Sequence, residues 1–149
     1  MATAYCSLTD LKKFIPEHVI IQLTDDYNTN TIETEITDDA INQAGNTIDV
    51  YMRGRYPADM DDDTPIPAFI NDLAVKLACY NLYRRKLSLT MPDSINDCYK
   101  EAIQTLKDIQ AGKVSPFPTT QEPTIIASNK TSASRTYNAT VWGSYNSIH

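Results

Sequence analysis

Apolar positions along this chain fall at helical spacing, and the longest such stretch, residues 65–87 (PIPAFINDLAVKLACYNLYRRKL), sets the frame for the rest. Ile66, Ile70, Leu73, Leu77 and Tyr80 recur at steps of four and three, which places them on one face of an α-helix. Phe69, Ala74, Ala78, Leu82 and Tyr83 widen that face around much of the girth. A helix apolar on so many sides has to be covered from more than one direction, so it is expected at the centre of the fold.

The neighbouring stretches supply the covering elements. Ser7-Leu8-Thr9-Asp10 has the form of a helix start, with Ser7 as N-cap, and Leu8, Leu11, Phe14 and Ile15 make a short amphipathic helix. Pro16 suits the first turn of a second short helix carrying Val19, Ile20 and Leu23. Residues 24–35 are polar and read as a loop. Thr37 or Asp38 is expected to cap a third helix with Ala40, Ile41, Ala44, Ile48, Tyr51 and Met52 in one stripe. Gly45 inside that stripe hints at close approach of a neighbouring helix, and Pro57 is expected to end the helix near Arg55-Tyr56. The last helix carries Ile95, Tyr99, Ala102, Leu106 and Ile109, with Gly112 as its left-handed C-terminal residue. The pattern predicts an all-α fold: a small antiparallel bundle of three longer helices plus short N-terminal helices.

After Gly112 the composition changes. Residues 113–149 carry Pro116, Pro118, Pro123 and many Thr, Ser and Asn, without a helical stripe. Phe117, Tyr137, Trp142 and Tyr145 are nevertheless spread through it, and aromatics on a segment that cannot build its own core suit anchoring on another subunit. Fully extended, this stretch spans on the order of 120 Å. The expected organisation is a helical domain over residues 1–112 and an extended arm over 113–149. Charge divides the chain at the same place: residues 1–112 hold 10 Lys+Arg and 18 Asp+Glu, a balance of −8, and residues 113–149 hold 3 and 1, a balance of +2.

The net charge of −6 argues against nucleic-acid binding as the main task. No run approaches the ~18 apolar residues of a membrane span, and the start MATAYCSLTDLKK has no export signal. Cys6, Cys79 and Cys98 are odd in number, without a CxxC pair, a pattern of reduced thiols in which Cys79 and Cys98 read as small core residues.

Candidate chemistry is sparse. His18 and His149 are the only histidines, and neither has a Cys, Ser or acidic partner at an informative spacing, so no catalytic residue is assigned. With four glycines and no Gly-rich loop, a phosphate or dinucleotide site is not expected, nor is any other cofactor. Asp26, Asn28 and Asn30 imitate the first half of a calcium loop running to Ile32, but Thr31 and Thr37 stand where that loop needs Gly and Glu. An Asx-rich connection is the simpler reading, and no metal ligand is assigned. Asp61-Asp62-Asp63 reads as a solvated acidic loop. Arg84-Arg85-Lys86 is explained by the negative end of its helix dipole.

Ala40-Ile41, Ala44, Ile48-Asp49, Tyr51-Met52 and Arg55-Tyr56-Pro57 resemble the signature of the Mu-like phage head–tail connector family. The likeness continues through Pro67, Ile70, Leu73-Ala74, Ala78, Tyr80 and Leu82-Tyr83, then Tyr99, Ala102-Ile103, Leu106, Ile109 and Ala111-Gly112-Lys113. Near the start, Tyr5, Leu11 and Leu23-Thr24-Asp25 also fit, so the similarity covers residues 5–113. The resemblance implies a helical adaptor of a phage neck that completes the head. Twelve copies would form a ring on the portal protein, pass DNA through the lumen without specific binding, and offer a docking surface to the next neck or tail protein. Its place would be the head–tail junction of the virion, assembled in the host cytoplasm. A ring of that size would carry about −72 before screening, a wall that repels DNA instead of gripping it. Tyr80, Leu82, Tyr83 and Leu87, near the end of the central stretch, are expected to face a neighbouring subunit. The rival reading is a small Ca²⁺-responsive module using the loop from Asp26 to Ile32.

Overall fold

The computed structural model describes residues 4–56 and 65–117. Among them it contains five helices and no strand: α1 (Leu8–Phe14), α2 (Glu17–Thr24), α3 (Thr34–Met52), α4 (Ala68–Arg85) and α5 (Asp93–Gln110). The chain divides between Phe117 and Pro118, and the second unit lies outside the described residues. The acidic run Asp61-Asp62-Asp63 also lies outside them.

Helix α4 packs against each of the other four helices, which is the central position its sequence demanded. Ile70, Leu73, Ala74, Val75, Leu77, Ala78, Cys79 and Leu82 are all buried, so the helix is covered on nearly every side over that span. Each large apolar side chain withdrawn this way contributes about 1.5–3 kcal/mol. From α3 it meets Ala40, Ile41, Ala44, Gly45, Ile48 and Met52, and from α5 Ile95, Ala102, Leu106 and Ile109. The buried Gly45 sits on the packed face of α3, as its place in the stripe suggested.

Helix direction can be read from polar contacts between elements. The side-chain amide of Asn81 on α4 donates to the carbonyl of Ala40 early in α3, at 3.3 Å. At the other end, Tyr5 links Asp49 late in α3 to Asn71 early in α4. The two helices therefore run antiparallel. A short connection over residues 86–92 returns the chain into α5.

Local signals set the helix ends. Ser7 and Asp10 form a reciprocal capping box: the Asp10 amide donates to Ser7 Oγ at 3.3 Å, and the Ser7 amide donates to Asp10 Oδ2 at 3.0 Å. Gly112 adopts φ 78°, and the amides of Gly112 and Lys113 donate to Ile109 and Asp108 at 2.9 Å each. That pair of bonds closes α5 in a Schellman motif. A Cβ at Gly112 would also meet the guanidinium of Arg55, the far end of a flexible side chain that can give way, so it is the left-handed backbone that requires glycine here.

Three details depart from the sequence expectation. α3 starts at Thr34, one turn before Thr37 and Asp38; Thr37 is fully buried and its hydroxyl donates to the Thr34 carbonyl at 2.8 Å, so it is a core residue and not a cap. The helix ends at Met52, a few residues short of Arg55-Tyr56. Ile66 and Phe69, expected on the core face of α4, are each 40% exposed. The helix begins only at Ala68, so Ile66 precedes it and Phe69 sits in its first turn, beyond the fully packed span.

Candidate functional site

No catalytic constellation was assigned from sequence, so the surfaces that can meet a partner are the relevant sites. The most developed of them is the end of the bundle where α4 finishes beside the loop between α2 and α3.

That loop is organised by one carboxylate. Asp25 accepts hydrogen bonds from the amides of Tyr27 (3.1 Å), Thr29 (3.0 Å) and Asn30 (2.7 Å), and from the Thr29 hydroxyl (3.3 Å). These donors, the Thr29 amide foremost, hold Asp25 below the usual carboxylate range. Asn28 and Asn30 take up the left-handed backbone that asparagine tolerates, at φ 58° and 57°. Thr24 braces the loop from within: its hydroxyl donates to Ile20 at 2.8 Å and accepts from the Glu33 amide at 3.3 Å.

Asp26 turns toward α4. Arg85 and Lys86 both form ion pairs with it, and the Arg85 hydrogen bond is the main reason its carboxyl is lowered. The same two cations reach the last carbonyls of α2: Arg85 donates to Leu23 at 3.3 Å and Lys86 to Asp25 at 2.9 Å. Side chains at the end of α4 thus cap α2 as well as balancing their own helix dipole. The dipole argument from sequence covered only the second of these roles. For the calcium reading the consequence is direct, because the carboxylate at the loop's first position is already held by two cations. Among the described residues no group of three His, Cys, Asp or Glu is gathered as for a metal ion.

Arg84 and Asp39 line a cleft of about 250 Å³ between α3 and α4, together with Ile36, Gln43, Asn81 and Arg85. Arg84 makes no ion pair or hydrogen bond among the described residues. Leu87 is 95% exposed and Tyr27 79% exposed.

The four expected subunit contacts separate on this geometry. Leu87 is fully on the surface. Tyr80 is half-buried and stacked on Tyr99 of α5, ring centroids 3.8 Å apart and planes 13° from parallel, so one of its faces is used inside the chain. Tyr83 is half-buried against the core. Leu82 is a correction: it is completely buried in the chain's own core, because it follows Leu77 and Ala78 on the face of α4 that packs on the bundle. Of the arm residues, Phe117 is described, and it packs back on the helical domain with its ring edge-on to Tyr56. Tyr137, Trp142 and Tyr145 lie outside the described residues.

Cys6 and Cys79 are buried free thiols, each pushed up to about 12 by desolvation, which fits the reading of Cys79 as a core residue and adds Cys6 to the core. Cys98 is half-buried. What the sequence reading missed is the polar brace at the opposite end. Tyr5 is almost completely buried and its hydroxyl donates to Asp49, while Asn71 donates to the Tyr5 carbonyl at 3.0 Å and to Asp10 at 3.3 Å. The resemblance had marked Tyr5 and Asp49, but no spacing rule brings residues so distant in sequence together.

Residues 5–134 match a family model described as Bacteriophage Mu, Gp36. The match makes this a phage protein of the structural, head-related class. The chain belongs to the Gp36 family of bacteriophage Mu. The matched region runs past the helical domain, where the resemblance in spaced positions had stopped at residue 113, and takes in part of the C-terminal segment. No individually curated protein matches the chain.

Proposed function

We propose that this protein is a head–tail connector: a helical adaptor that assembles as a ring of twelve copies on the portal, leaves the lumen open to DNA, and presents a docking surface to the next neck or tail protein. Its work is structural, with no catalytic step and no cofactor. It acts at the head–tail junction of the virion after assembly in the host cytoplasm.

The observation that carries this reading is the family match over residues 5–134. Other features agree with it. The chain's charge of −6, repeated around a ring, gives an acidic wall that does not retain DNA. No helix among the described residues is long and apolar enough to cross a membrane. The described residues up to Phe117 gather one hydrophobic core, and the unit that follows, which carries Tyr137, Trp142 and Tyr145, is the arm in this reading.

The test is head completion by a chain ending at Phe117. The shortened protein is expected to keep its helical circular dichroism and to fail to complete heads. Completion at the full-length level would exclude an assembly role for the arm.

A further inference from the structure

The stack of Tyr80 on Tyr99 fixes the register of α4 against α5. Tyr80 stands near the end of α4 and Tyr99 near the start of α5, so the helices meet beside their connection and run antiparallel. One turn earlier on α4, Lys76 is paired with Asp72 at 2.8 Å and lies near Cys98 and Glu101 of α5, in keeping with that direction.

The register brings two thiols together. One residue earlier on either helix, the side chain is turned by about 100° and shifted by about 1.5 Å. Because the helices run in opposite directions, both turns lead to the same flank of the interface. Tyr80 and Tyr99 fill one flank, and Cys79 and Cys98 face each other across the other, shifted by about 3 Å along the axes relative to the tyrosines. Helices packed at the usual separation then hold the two Cα atoms about 6–8 Å apart, and the lower part of that range is one a disulfide spans. The electrostatics agree: burial raises the Cys79 thiol to about 12, and neighbouring Cys98 adds to the rise. The two differ in access, since Cys79 is 0% exposed and Cys98 half-buried.

We propose that Cys79 and Cys98 form a thiol pair that a small-molecule disulfide oxidises, closing a covalent staple between α4 and α5. The half-buried Cys98 is the entry point. As a thiolate it attacks one sulfur of the small disulfide, forming a mixed disulfide and releasing one small thiol. Cys79 then loses its proton to solvent and attacks the Cys98 sulfur, which releases the second small thiol. Two cysteine thiols are oxidised and one small disulfide is reduced to two thiols. Burial of Cys79 makes the second step the slow one. The pair stays open where small thiols are in excess and closes where small disulfides are. This chemistry needs no neighbouring subunit, so it stands or falls apart from the ring.

The experiment exposes folded full-length protein to oxidised glutathione and maps its thiols by mass spectrometry after tryptic digestion without reductant. The expected product is the peptide of residues 77–84 joined to that of residues 87–100, with Cys6 free. The melting temperature is expected to rise by about 5–10 °C and to fall back on reduction. In Cys79→Ala, glutathione is expected to remain on Cys98, because no thiol is left to displace it. In Cys98→Ser no internal bond is expected, and circular dichroism checks the fold of both variants. An unaltered chain that keeps glutathione stably on Cys98, links Cys98 between two copies, or stays reduced until urea unfolds it overturns the proposal.

Discussion

Phe117 meets Tyr56 edge to face, with ring centroids 5.5 Å apart and planes at 66°. Tyr56 follows the end of α3 and Phe117 follows the cap of α5, so this contact ties together the two chain segments that leave the bundle there. It places the end of the helical domain at Phe117, past Gly112. Replacing Phe117 with Ala removes an aromatic pair worth about 0.5–1.5 kcal/mol beyond its area. Urea unfolding of Phe117→Ala is expected to show a loss of that order with circular dichroism unchanged. A midpoint equal to the unaltered protein's would mean that the pair contributes nothing.

Leu82 and Leu87 separate stability from assembly. Leu82 is inside the core, and Leu82→Ala is expected to cost about 2–5 kcal/mol. Leu87 is 95% exposed, and Leu87→Ala is expected to stay within about 0.5 kcal/mol of the unaltered protein while weakening ring formation. Thermal denaturation measures the first quantity and portal mixing the second. Equal destabilisation by both changes would contradict the placement of these side chains.

The α1 capping box gives a signed pH dependence. Hydrogen bonds from the Ser7 side chain and backbone, then from Asn71, hold Asp10 down at about 2. A carboxyl lowered in the folded state adds stability above its unfolded value near 3.9, and that share is lost as pH falls toward 2. Ser7→Ala is expected to cost about 1 kcal/mol at neutral pH. It should also flatten the stability profile between pH 4 and pH 2, read from urea midpoints across that window. An unchanged slope would show that Asp10 is not held by Ser7.

The helical frame was legible because its signals are local. Apolar spacing marked α4 and α5, Ser7 and Asp10 announced α1, and Gly112 announced the end of α5. Placement failed where contacts came from elsewhere. Thr37 looked like a cap because Thr often is one, but α3 begins a turn earlier and buries it. Leu82 and Leu87 are alike in sequence; only the end of α4 at Arg85 puts one inside and the other outside. The bond from Arg85 to Asp26 and the brace of Tyr5, Asp49 and Asn71 join residues 44 to 66 positions apart, which no local pattern encodes.

Calcium discriminates the connector from its rival. Asp26 is paired with Arg85 and Lys86, and Asp25 is filled by loop amides, so a divalent ion would have to displace existing partners. Titration with Ca²⁺ into the millimolar range is expected to leave the melting temperature and the Tyr27 fluorescence unchanged. A saturable rise in melting temperature that disappears in Asp26→Asn would favour a cation-responsive module.

The central claim is that copies of this chain assemble on a portal, and electron microscopy of the full-length protein mixed with its portal tests it most directly. The account predicts a ring of extra density on one face of the portal, coaxial with an open channel. Portal particles without that ring, at protein concentrations far above those of assembling heads, would contradict it.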